Sequence, residues 1–171
     1  MFNIKPMAKY QLAEINIARI KGVNIEDPIM KEFVDNLDAI NVLAETSEGF
    51  VWRLKDEDNN ATAFNPYNDE QVIINLSVWE SIESLENYVF KTLHAEFLRR
   101  RREWFQKFGK VTTAMWWIRE GEFPSVEEAV DKLARLQEEG PTGRIFDFKN
   151  KFSPPADSAV FTDDNVRPGS I

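Results

Sequence analysis

From Tyr10 to Ile20, apolar side chains stand at Leu12, Ala13, Ile15, Ile17, Ala18 and Ile20. That is too dense for one helical stripe and suits a strand covered on both faces. Asp27 then offers a helix N-cap with Pro28 behind it, and Ile29, Phe33, Leu37, Ile40 and Ala44 follow at steps of four and three, predicting a first helix that ends before Gly49. Phe50 to Lys55 reads as a second strand, and Lys55 to Asp69, with its Asp, Asn and Pro, as the loop of a long hairpin. Val72 to Trp79 is apolar almost throughout and forms the third strand. Ser81 caps a second helix whose apolar positions Ile82, Leu85, Val89, Leu93, Phe97, Trp104 and Phe108 stay near one face over more than about six turns. Thr112 to Ile118 predicts a fourth strand, and Ser125 with Glu128 a capping box for a third helix that runs to about Glu139 and stops at Gly140 and Pro141.

Strand, helix, strand, strand, helix, strand, then an extra C-terminal helix is the split βαβ order of the ferredoxin-like plan, an α+β fold. It places a four-stranded antiparallel sheet beneath helices on one face. Because the third and fourth strands are apolar on both sides, the bare face is expected to meet a second copy, giving a homodimer. The domain is expected to span residues 1–149. Residues 150–171, with SPPADS and DDNVRPGSI, carry too little apolar content to fold alone and read as a tail.

The chain has 171 residues, so one domain is the default. Thirteen Phe and five Trp exceed what a minimal core needs and leave aromatics for a pocket or an interface. With no cysteine, disulfides and thiolate metal sites are excluded. A net charge of -8 disfavours nucleic acid and anionic membranes as partners. No signal-peptide pattern or membrane-length apolar run is visible, which makes the cytoplasm the expected location. Phosphate loops, serine elbows, dinucleotide fingerprints and metal-ligand spacings are likewise missing.

Several ordered blocks carry a resemblance. The segments LAEINIAR (12–19), GFVWRL (49–54), INLSVWESIESL (74–85), LHAEFLRRRREWF (93–105), WW (116–117) and EEGPTGRIFDF (138–148) resemble a family of bacterial and fungal domains of unknown function, number 3291. The resemblance implies the dimeric α/β-barrel superfamily, which also holds antibiotic-biosynthesis monooxygenases and haem-degrading enzymes. In the haem-degrading relatives a histidine on the second helix holds iron, and their segment before that helix looks like Trp79-Glu80-Ser81 here. Their oxygen-activating asparagine sits on the first strand, where Asn16 is the closer counterpart. Haem is thus one cofactor the resemblance allows and none is required.

His94 is the single histidine, a candidate iron ligand or proton shuttle, and equally an ordinary packing residue. On a continuous second helix centred on Phe97, His94 and Arg101 fall on one flank beside Phe90 and Phe105. Arg100 falls on the other flank, while Arg99 and Arg102 face water. Arg101 and Arg100 are candidates to clamp a ligand carboxylate, or else to pair along the helix as Glu96–Arg100 and Arg99–Glu103. Asn75 interrupts an apolar strand and shares one face with Ile73, Ser77 and Trp79, so Asn75 and Asn16 are candidate catalytic groups or partners of neighbouring backbone. Trp52, Trp79 and Trp116 complete the candidate ligand-binding set, with core packing as their alternative. The function these residues suggest is binding of a hydrophobic or aromatic small molecule with monooxygenase-like chemistry. The alternative is a non-catalytic ligand-binding or assembly module.

Overall fold

A computed structural model describes residues 9–156. Five strands, β1 (Tyr10–Ile20), β2 (Phe50–Arg53), β3 (Val72–Trp79), β4 (Phe105–Gln106) and β5 (Thr113–Arg119), form one antiparallel sheet. β1 lies at its centre, with β3 and then β2 on one side. β5 pairs Tyr10 to Asn16 on the other side, and the two-residue β4 pairs Arg19 and Ile20 further along the same edge. Apart from that short extra strand, the order is the ferredoxin-like one. β1 and β3 occupy the residues their patterns predict, and β5 sits one residue later.

Five helices accompany the sheet: α1 (Lys31–Asp35), α2 (Leu37–Glu45), α3 (Ile82–Lys91), α4 (His94–Arg100) and α5 (Val126–Glu139). The caps read from sequence are present. Asp27 accepts from the Ile29 N–H, Ser81 from Ser84 and Ser125 from Glu128. Both long predicted helices, however, are broken. The first divides at Asn36, after a 3-10 turn at Pro28–Met30. The second divides at Thr92, whose backbone is extended (φ -107, ψ -174). There the Thr92 hydroxyl donates to the Tyr88 carbonyl at 2.6 Å and accepts the His94 N–H at 3.2 Å, so a side chain replaces the helical ladder at that turn. α4 then tightens into a 3-10 turn, Arg101–Glu103, so the uniform helical angle expected between His94 and Arg101 does not hold.

The two sheet faces carry different side chains because register fixes alternation. One face presents Ala13, Ile15, Leu76, Val78, Ala114 and Trp116, buried against Ala129, Leu133 and Leu136 of α5. Phe64 and Tyr67 of the long hairpin loop pack on the same cluster. The expectation of helices on one face and a bare second face is therefore corrected. α5 and the loop supply within one chain the cover that a second copy was expected to provide. The opposite face carries Leu12, Glu14, Asn16, Asn75, Ser77 and Trp79, under α1 to α4. Phe146, fully buried, bridges to Met115 through two backbone bonds of 2.8 and 2.9 Å. The chain stays attached as far as Phe152, whose carbonyl accepts the Trp117 indole N–H at 2.9 Å. The expected tail at 150–171 thus begins on the surface of the domain, and its residues 157–171 lie outside those described.

Candidate functional site

Antiparallel register sets Leu12 opposite Trp79, Glu14 opposite Ser77 and Asn16 opposite Asn75. These side chains share one face and join into a hydrogen-bonded ladder. The Asn75 amide donates to Asn16 Oδ1 (3.2 Å), and the Asn16 amide to Glu14 Oε1 (2.8 Å). The Ser77 hydroxyl donates to Glu14 Oε2 (3.1 Å), and the Trp79 indole to Ser77 Oγ (2.9 Å). Asn75 is exposed while Glu14 is 5% and Trp79 1% exposed, so the ladder leads from an open end into the protein.

Burial raises the Glu14 carboxyl to about 7, against the opposing effect of the Asn16 and Ser77 hydrogen bonds. Desolvation, reinforced by the Glu14 charge and opposed by Arg53, pushes the Tyr88 hydroxyl far above its usual range. Arg53 lies opposite Ser77 on β3, in the same transverse row as Glu14. It is 8% exposed and held by Glu45 through Nε (2.9 Å) and by Asn59 through Nη2 (2.8 and 2.9 Å). The His94 ring packs 4.8 Å from that of Tyr88, which stacks on Trp79 at 5.1 Å. His94 Nδ1 sits 3.1 Å from the Val89 carbonyl, which only an N–H can satisfy, so the neutral ring keeps its lone pair on Nε2. Burial lowers the affinity of this ring for a second proton, with the Val89 bond acting the other way.

These groups border a cavity of about 1110 Å³ lined by the ladder face of the sheet and α1 to α4, and also by Ile17 and Leu76 of the other face and Gln137 of α5. It extends from Phe90 and Phe148 to the 107–112 segment between β4 and β5. Of the residues picked from sequence, His94, Arg101, Asn75, Asn16, Trp79, Phe90 and Phe105 all line it. Arg101 is exposed at its rim and donates to the Leu98 carbonyl (2.8 Å). Three picks are corrected. Trp52 and Trp116 lie on the other sheet face, Trp52 against Phe123 and Trp116 in the cluster under α5. Arg100 is tied at 2.7 Å to both Glu32 and Glu103 and covers the Trp104 ring, a structural clamp in place of the expected Glu96 pair.

Sequence reasoning missed Glu14, Arg53, Ser77 and Tyr88 as members of the site. For Glu14 the signal was present: an acid inside a strand apolar on both faces has one face to hide in, and Asn16 follows it on that face. For Arg53 and Tyr88 no local pattern distinguishes them from an edge residue and a core aromatic. Among the described residues, no group of three or more His, Cys, Asp or Glu is placed to hold a metal ion, and no helix is long and apolar enough to cross a membrane.

Residues 11–162 match the family described as a domain of unknown function (DUF3291). No curated protein matches the chain. Among solved structures, similarity is found to a conserved protein from Methanosarcina mazei Go1 (13% identity, TM-score 0.46, 65% of this chain and 93% of that one). SnoaB from Streptomyces nogalater, a cofactor-independent oxygenase, is similar over 69% of this chain and 98% of its own (12% identity, TM-score 0.40). MupZ from Pseudomonas fluorescens covers 91% and 97% respectively (14% identity, TM-score 0.41).

Proposed function

The chain belongs to the DUF3291 family, and starting from there we propose that it binds a hydrophobic or aromatic small molecule between sheet and helices and acts on it in a monooxygenase-like reaction. The observation that carries the reading is the cavity itself. Its volume of about 1110 Å³ is slightly above the usual range for a ligand pocket, and its aromatic walls converge on one polar ladder. Phe90, Phe97, Trp79 and Tyr88 offer rings for stacking, and Asn75 and Asn16 orient a polar substituent. The monooxygenase-like chemistry comes from the sequence resemblance. A homodimer belongs to the same proposal, formed through a surface other than the sheet face that α5 occupies.

One observation favours a haem variant of this reading. His94, with Nδ1 on a backbone carbonyl and a lone pair on Nε2, would hold the iron, and Arg101 at the rim would pair with a propionate. Bound there, haem would supply redox-active iron.

The test is titration with 2-methoxynaphthalene followed by tryptophan emission, since Trp79 and Trp104 line the cavity. Binding is expected to weaken at least about tenfold in Asn41→Trp, which adds an indole to the wall, and to persist in Trp52→Phe on the opposite face. Dioxygen uptake with a bound aromatic substrate separates the enzyme from a non-catalytic module. A Soret band that His94→Ala abolishes separates the haem variant from the cofactor-free one. If no aromatic binds, or if Asn41→Trp binds as the parent does, the reading is wrong.

A further inference from the structure

We propose that Glu14 accepts the proton of a ligand hydroxyl in this cavity and that Arg53 holds the oxyanion so formed. The preferred ligand class is then an apolar ring bearing an acidic hydroxyl, a phenol or an enol. This rests on the cavity reading above and adds the group that the site takes and the step it performs.

Three observations support it. First, Glu14 is the one acidic residue among those lining the cavity, whereas Arg19, Arg53, Arg101, Lys107, Lys110 and Lys149 are basic, and of these only Arg19 and Arg53 are ion-paired, to Asp69 and Glu45, among the described residues. In a chain of net charge -8 that local excess of cations favours a ligand bound as an anion. Second, the Glu14 carboxylate is fixed yet not saturated. Asn16 occupies one position on Oε1 and Ser77 one on Oε2, which leaves each oxygen a further lone pair for an incoming proton. Third, Arg53 lies two strands away in the same transverse row, with Ser77 between, so their main chains are about 10 Å apart, and both residues line the cavity. Its Nε and Nη2 are engaged by Glu45 and Asn59, and Nη1 has no partner among the described residues. A buried guanidinium held on two corners presents the third without further ordering.

The step conserves atoms and charge. The ligand O–H bond breaks, its proton bonds to a free lone pair of Glu14, and the electron pair stays on the ligand oxygen, which the Nη1 hydrogens of Arg53 meet. The ionisable and charged groups around Glu14 are Arg53 from β2 with its Glu45 partner from α2, Tyr88 from α3 and His94 from α4. On β5 its neighbour is the uncharged Met115. The carboxylate near neutrality is therefore set by burial and by Asn16 and Ser77, and it becomes available as a base as the pH rises through about 7.

The probes are 2-naphthol and 2-methoxynaphthalene, which share a ring system and an oxygen and differ in the proton. In the unmodified protein at pH 8, 2-naphthol is expected to bind about tenfold or more tightly than its methyl ether, and the ratio to fall towards one at pH 5. Glu14→Gln is expected to hold the ratio near one at every pH, and Glu14→Asp to restore part of it. Arg53→Met is expected to remove the naphtholate absorption of the complex. The pH profile of the unmodified protein stands whether or not that variant folds. Equal binding of the two probes across pH, or a ratio that survives Glu14→Gln, overturns the proposal and leaves the cavity reading intact. Failure of both probes to bind overturns both.

Discussion

Folding takes the Glu14 carboxyl out of water and gives it two neutral donors in return, which is less than an ionised group needs. The folded chain therefore holds this proton up to about pH 7, whereas an ordinary glutamate releases it near 4.5. Between those values the folded state binds more protons than the unfolded one, so stability falls as the pH rises from about 4.5 to about 7 and is flat on either side. From pH 4 to pH 8 the loss attributable to Glu14 is about 3 kcal/mol, and Glu14→Gln removes it. The variant is thus expected to match the parent at pH 4 and to exceed it at pH 8 by up to about 3 kcal/mol, measured as the difference in urea midpoints. Equal midpoints at pH 8 would show that Glu14 ionises normally. His94, Asn16, Asn75 and Arg101 were readable in the sequence because each is chemically conspicuous on its element. Glu14 escaped because a count of apolar positions along β1 steps over the one residue that breaks the count.

At the scale of elements, strand positions were legible because alternation and apolar density survive in the folded sheet. Helix continuity was not. The apolar steps from Ile82 to Phe108 run on across Thr92, and what ends the ladder there is a hydroxyl bonding to its own neighbourhood. The connection between α2 and β2 illustrates the opposite case, a stop that the sequence announces. Gly49 has φ +78, its carbonyl accepts the Glu80 N–H at 2.8 Å, and a Cβ there would stand 2.1 Å from Ser84 Oγ. Gly49→Ala must therefore strain the backbone and push the first turn of α3 away from β2. A loss of about 2 kcal/mol or more is expected by chemical denaturation. A change below about 0.5 kcal/mol would mean that α3 moves freely at its start.

For the whole molecule, the sequence conveyed that both sheet faces must be covered, and it did not convey by what. The helix that completes the cover, α5, follows the ferredoxin-like order and looked like an appendage. Leu133 on it is 1% exposed against the sheet. Leu133→Asp is expected to cost about 3 kcal/mol or more and to lower Tm by the same amount at all protein concentrations, because the contact it breaks is within one chain. A Tm deficit that shrinks as concentration rises would restore pairing of two copies through that face. The buried acid in β1 also has a meaning beyond its own position. A domain of this size has only a modest margin between folded and unfolded, and one side chain reduces that margin on the alkaline side alone. The same set of random substitutions would then look benign when screened at pH 6 and damaging at pH 8, and the apparent mutational robustness of the protein becomes a property of the buffer.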